Sequence, residues 1–316
     1  MRLHAFLGCW VLSIAVSCAA ASSCKVPVFL DGTPKASADF SRLLQQAEAG
    51  NLSAQFQVAL AYEIGNGIDQ DYDRAARWYQ KSADYGNSAA QNNLGSLYAR
   101  GVGVPQSDAE AMKWYQRAAA GGHPAAANNV GSMYATGRGV PKSDDDAASW
   151  YRKAATKGYA PAEANLALMY LAGRSVARDD KEAVRWFRKA ANRRYAPAEF
   201  NLGLMYFNGI GVARDKVEAS KWFSKASAQG LAAAENQMGF VYERGEGVPR
   251  DYELALQWFR KAAEHGSAEA RRNLTAISVL VQGSAKSSGD LAYDWSDISS
   301  LTRVHQAPID SSLIEP

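Results

Sequence analysis

A Trp followed at once by a second aromatic recurs six times, at Trp78-Tyr79, Trp114-Tyr115, Trp150-Tyr151, Trp186-Phe187, Trp222-Phe223 and Trp258-Phe259, and every step is 36 residues. A period held that far without an insertion requires a stack of like supersecondary units, each burying its apolar face against its neighbours. The length of 316 residues would alone allow two domains, but the internal period overrides that prior. Repeat arrays are mainly surfaces for other molecules, so the period speaks for architecture and names no ligand.

Each unit reads as two helices. The first carries small and aliphatic residues up to a Tyr (Tyr62, Tyr98, Tyr134, Tyr170, Tyr206, Tyr242) and ends at a Gly-x-Gly turn such as Gly101-Val102-Gly103. Paired glycines permit positive φ and close the helix. The second helix opens on Asp71, Ser107, Ser143, Asp179, Asp215 or Asp251, all good N-caps. Glu110, Asp146, Glu182 and Glu218 follow three residues later and complete or approximate a capping box. Ala stands three residues before each Trp, so the Trp is expected to wedge between layers beside small residues, where Trp→Ala would cost about 3–5 kcal/mol. The basic residue three beyond it (Lys81, Arg117, Lys153, Lys189, Lys225, Lys261) is expected to be a solvated charge facing the helix C-terminus.

The termini have their own logic. Residues 1–21 combine a short basic start at Arg2 and His4, an apolar run and Ala19-Ala20-Ala21, the pattern of an export signal. The run is too short to span a bilayer, which takes about 20 residues. Cys18, after Ala15-Val16-Ser17, offers the alternative of lipidation. Residues 22–36 read as a linker, 37–49 as a degraded second helix that caps the array, 268–281 as a closing first helix, and 282–316 as a mostly disordered tail. Net charge is +3, too balanced for a nucleic-acid binder.

The unit, seen clearly at Ala90, Leu94, Gly95, Tyr98, Gly101, Gly103, Val104, Ala111, Trp114, Tyr115, Ala118, Ala119 and Gly122, resembles the Sel-1-like repeat (SLR) family, relatives of the tetratricopeptide repeat. The resemblance covers residues 37–281. It implies an all-α, right-handed superhelical solenoid of six helix-turn-helix repeats with degenerate capping helices. It also implies a scaffold that holds protein partners, in exported bacterial members within the cell envelope or outside the cell. Cysteine-rich members credited with β-lactam binding or hydrolysis pair cysteines across each repeat, and this chain has none there.

Six and two places before each Tyr the residues vary while their surroundings hold, and the two places share a helix face. They are Phe56/Leu60, Asn92/Ser96, Asn128/Ser132, Ala164/Leu168, Phe200/Leu204 and Asn236/Phe240. Core contacts must repeat and ligand contacts need not, so this face is expected to be the concave groove for a protein or peptide, polar in units two and three and apolar in units four to six. Extra packing between helices is the other reading of the same residues.

Unit four departs from the pattern: Ser175 replaces the second turn glycine and Arg194 the glycine between units. An Arg forced into the left-handed conformation costs about 1 kcal/mol unless the loop is remodelled. Arg174, Arg178, Arg185, Arg193 and Arg194 form a possible basic patch for an anionic partner, or else a solvated helix face. No nucleophile motif, P-loop or metal-ligand spacing stands out, and no cofactor is called for. The sequence therefore predicts an exported, monomeric binding scaffold without catalysis and with no transmembrane span in the mature chain. A β-lactam- or peptidoglycan-directed hydrolase is the alternative.

Overall fold

The computed structural model describes residues 37–286, and among them there are fourteen helices and no strand. The leader at 1–21 with Cys18, the linker at 22–36 and the end of the tail from 287 lie outside the described residues. A capping helix, α1 (Ala38–Glu48), precedes six two-helix units. The first helices are α2 (Leu52–Ile64), α4 (Ser88–Arg100), α6 (Pro124–Thr136), α8 (Ala160–Ala172), α10 (Ala196–Asn208) and α12 (Ala232–Arg244). The second helices are α3 (Tyr72–Asp84), α5 (Asp108–Ala120), α7 (Asp144–Ala155), α9 (Asp180–Asn192), α11 (Lys216–Ala228) and α13 (Tyr252–Glu264). A closing helix, α14 (Ala268–Lys286), runs five residues into the stretch assigned to the tail, because no Gly-x-Gly turn stops it.

Each helix packs on its sequence neighbours and hardly beyond them, which makes the array a solenoid. The helix ends follow from local chemistry. Asp71, Ser107, Ser143, Asp179, Asp215 and Asp251 all accept a backbone N–H from the first turn of the second helix. The first glycine of each turn is a left-handed C-cap, from Gly65 with φ 72° to Gly245 with φ 68°. The turn is then stitched by the N–H of the next N-cap onto the Tyr carbonyl, as from Ser107 to Tyr98 at 3.0 Å.

In four of the six units the buried wedge is the aromatic after the Trp and not the Trp itself. Tyr79, Phe187, Phe223 and Phe259 are at most 1% exposed, and Tyr115 and Tyr151 are buried. Trp78, Trp150, Trp186 and Trp258 are only half-buried, while Trp114 and Trp222 are buried at the rim of the preceding unit's core. Nor is the basic residue simply solvated. Lys81, Lys153, Lys189 and Lys225 hold their ammonium groups 3.7–4.0 Å from the Trp ring centroid, and Arg117 and Lys261 lie over theirs at 4.7 and 5.1 Å. A cation over the ring's negative face, with its stem covering the indole, shields the half of the Trp that the core leaves open.

The first helix makes room for this wedge with a small residue. A Cβ on Gly95 or Gly131 would stand 2.8 Å from the Tyr115 or Tyr151 ring, and one on Gly203 or Gly239 would stand 2.6 or 2.5 Å from Phe223 or Phe259.

Candidate interaction surface

The twelve variable positions divide in two. Asn128, Ala164, Phe200, Leu204, Asn236 and Phe240 are buried; Phe56, Asn92, Ser96, Ser132 and Leu168 are half-buried, and Leu60 is exposed at 36%. The expected apolar groove over units four to six is thereby corrected, because most of its residues belong to the core. Phe200 lies 5.6 Å from Phe223 and Phe240 meets Phe259 edge-on at 5.1 Å, ring centre to ring centre.

The physical reason is a pairing between helices. In units two and three the second-helix aromatic is Tyr115 or Tyr151, and the Ser96 or Ser132 hydroxyl stands beside its phenol, opposing the rise that burial gives the phenol's pKa. Burial nevertheless pushes both phenols up to about 12. In units four to six the aromatic is Phe and the same station holds Leu168, Leu204 or Phe240. A buried hydroxyl needs a partner and a phenyl ring does not, so the face changes character with the core beneath it. The positions six before the Tyr serve the stack as well. The Asn129 side-chain amide donates to Asn92 at 3.2 Å, Asn165 to Asn128 at 2.9 Å and Asn273 to Asn236 at 2.9 Å, each pair joining consecutive first helices.

The surface left open lies mainly after the Tyr, near the C-terminal ends of the first helices. Between α6 and α8 a cleft of about 480 Å³ is bordered by Ser132, Thr136, Leu168, Leu171, Ala172 and Arg174, among others. Ser132, Leu168 and Arg174 are thus brought together, whereas the other proposed groove residues are not part of it. Thr136, Leu171 and Ala172 add what the positions before the Tyr do not convey. Their signal is the change of residue type one and two places after the Tyr, from Glu63/Ile64 through Leu171/Ala172 to Glu243/Arg244. The cleft offers aliphatic walls with hydroxyls and a guanidinium at its edge, the mixture that suits a peptide segment.

The arginine-rich fourth unit is not an unpaired cationic patch. Arg174 is paired with Asp144, Arg178 with Asp180 at 2.9 Å, Arg185 with Glu182 at 2.9 Å and Arg193 with the buried Glu163 at 3.3 Å. Arg194 is exposed and keeps φ at 61°, and Ser175 likewise holds φ at 61°, so neither loop is remodelled to relieve its residue. The Ser175 hydroxyl donates to Asp145 at 2.5 Å. The Asp144-Asp145 start of α7 is therefore a receiver for unit four as well as a soluble helix start.

Among the described residues no three His, Cys, Asp or Glu side chains are grouped to hold a metal ion, and no helix is long and apolar enough to cross a membrane. His123 acts locally: its Nδ1 accepts the Ala126 N–H at 3.3 Å and caps α6, and burial lowers its pKa.

Comparison with known proteins agrees with this architecture. The Sel1 repeat family model matches six times, at residues 52–87, 88–123, 124–159, 160–195, 196–231 and 232–267. No curated protein matches the chain. Among solved structures, a Sel1 repeat protein from Oxalobacter formigenes is 30% identical with a TM-score of 0.67, over 72% of this chain and 98% of that one. The c5321 protein, a protective antigen present in uropathogenic Escherichia coli strains and displaying an SLR fold, is 31% identical with a TM-score of 0.60, over 74% of this chain. The match spans 58% of that antigen's length. With six consecutive matches laid over six structural units, the chain belongs to the Sel1 repeat family.

Proposed function

We propose that this chain is an exported, non-catalytic scaffold that holds a protein partner along the exposed ends of its first helices, centred on the cleft between α6 and α8. The observation that carries the reading is that cleft. It is a cleft on the first-helix face where half-buried aliphatic side chains, Leu168 and Leu171, stand beside Ser132, Thr136 and Arg174. The repeat itself is a scaffold suited to protein interaction. Its cores are filled by alanines and aromatics in every unit, which leaves the surface free to vary.

Export is supported by the leader-like residues 1–21, and a related array that serves as a protective antigen supports a location within reach of antibodies. Cleavage after Ala21, in the periplasm or beyond it, is the form we favour over lipidation at Cys18. Intact mass of the native protein separates the two, and a mass that retains residues 1–21 contradicts both.

The binding reading is tested by T136R/L171D, made at edge positions of the cleft. Partners recovered from the native envelope or culture fluid should be lost while helicity and melting are kept. Unchanged recovery would place the partner elsewhere.

A further inference from the structure

Glu243 stands one place after the Tyr of unit six, the station that Glu63 holds in unit one. At Glu63 the carboxylate is fully engaged. Its Oε2 accepts from the Tyr79 phenol at 2.5 Å, and its Oε1 pairs with the guanidinium of Arg100, on the next first helix, at 3.3 Å. Unit six supplies neither donor. Its second-helix aromatic is Phe259, which has no hydroxyl, and the residue in the register of Arg100 is Leu280. Oε2 of Glu243 is buried without a hydrogen-bond partner among the described residues. Burial raises its pKa, with the charge of Arg244 opposing the shift. A carboxylate oxygen withdrawn from water is costly until a donor reaches it.

The surroundings suit a planar cation. Phe207 holds the same station one unit earlier and is half-buried, with the Lys216 ammonium 5.4 Å from its ring centroid. Phe240, one turn before Glu243, has the Arg244 guanidinium 5.4 Å from its own. These rings already take cations at the distance where a ring face attracts them. We propose that Glu243 is a guanidinium-accepting subsite, at which an arginine of the bound partner pairs with the carboxylate as Arg100 pairs with Glu63. This rests on the reading that a partner lies along the first-helix face. It adds that the partner carries an arginine about two units, or roughly 20 Å, from the segment in the α6–α8 cleft.

The probe is ethylguanidinium, the arginine head group without its chain, titrated into the full-length protein labelled with carboxyl-13C glutamate. The Glu243 resonance should shift saturably, with a midpoint at least about threefold lower than those of exposed Glu253, Glu264 and Glu269, because a charge-assisted pair with a partly desolvated carboxylate is the stronger one. In E243Q the accompanying shifts of the Phe207 and Phe240 rings should vanish while thermal unfolding is unchanged. A Glu243 response no earlier than that of the exposed glutamates overturns the proposal, as do ring shifts that survive in E243Q. T136R/L171D should leave this titration unaltered, so failure of the cleft reading and failure of the subsite are told apart.

Discussion

Ser132 on α6 stands beside the buried phenol of Tyr151 on α7 and opposes the rise that burial gives its pKa, while at the same station three units later Phe240 packs against Phe259 at 5.1 Å. In units two to six the residue at this station therefore follows the aromatic beneath it, Ser over Tyr and Leu or Phe over Phe. Ser132→Ala should leave the Tyr151 hydroxyl unpaired and destabilise the array by about 1–3 kcal/mol, whereas S132L/Y151F, which copies the apolar units, should fall within about 1 kcal/mol of the parent. Urea unfolding of the two variants checks this. Equal losses in both would show that the pairing does not govern the face.

The glycine under each wedge makes a sharper demand. Gly203→Ala sets a methyl 2.6 Å from the Phe223 ring, and the ring must move. A loss of about 1–3 kcal/mol is expected, as for other overpacked cores. Ala167 occupies the same register in unit four, so Ala167→Gly there should lose only what helix propensity dictates, about 1 kcal/mol or less. Thermal melting of the pair distinguishes the two effects.

Ser175 and Arg194 hold left-handed conformations that glycine supplies in the other units. Ser175→Gly and Arg194→Gly should each stabilise the chain by about 1 kcal/mol. The gain at Ser175 is reduced by loss of its exposed hydrogen bond to Asp145. Hydrogen exchange should show the gain in units three to five. If neither substitution slows exchange there, the strain assignment is wrong.

His123 caps α6 through an unprotonated nitrogen, and its folded pKa is depressed by burial. A depressed folded value means that the contribution is present above the unfolded pKa of about 6.5 and is lost as pH falls through the folded value. His123→Asn copies Asn51 and Asn87, which cap α2 and α4 without titrating in this range. Parent and variant should be equally stable at neutral pH. The variant should gain by about 1 kcal/mol in mild acid. Melting temperatures across that pH range decide it, and parallel curves would contradict the capping role.

Helix number, helix ends and register were readable from the period and the caps, because Asp71, Ser107 and their counterparts act within a few residues of chain. The deeper burial of the residue after the Trp, clearest in units one, four and six, is also written in the local sequence. The neighbours of Tyr79 at three and four residues are Ala75, Ala76, Ser82 and Ala83, all small, whereas those of Trp78 include Arg74 and Lys81. Small neighbours mark the face on which another helix closes. The extent of the groove is hidden from the sequence for a related reason. Variation at Ser132 or Phe240 depends on a contact with the second helix of the same unit, and comparing first helices alone hides that partner. The ion pairs of Arg174 and Arg193 reach back 30 residues, to Asp144 and Glu163, a distance at which charge runs read along the chain are blind.

A partner seated in the α6–α8 cleft comes within reach of a photo-crosslinking residue at position 171, with position 77 on α3 as the control. In the native envelope or secreted fraction, position 171 should trap one defined protein, competed away by excess unlabelled chain but not by the T136R/L171D variant, and position 77 should trap none of it. Equal trapping at both positions, or competition by the cleft variant as effective as by the parent, would mean that no partner occupies the cleft.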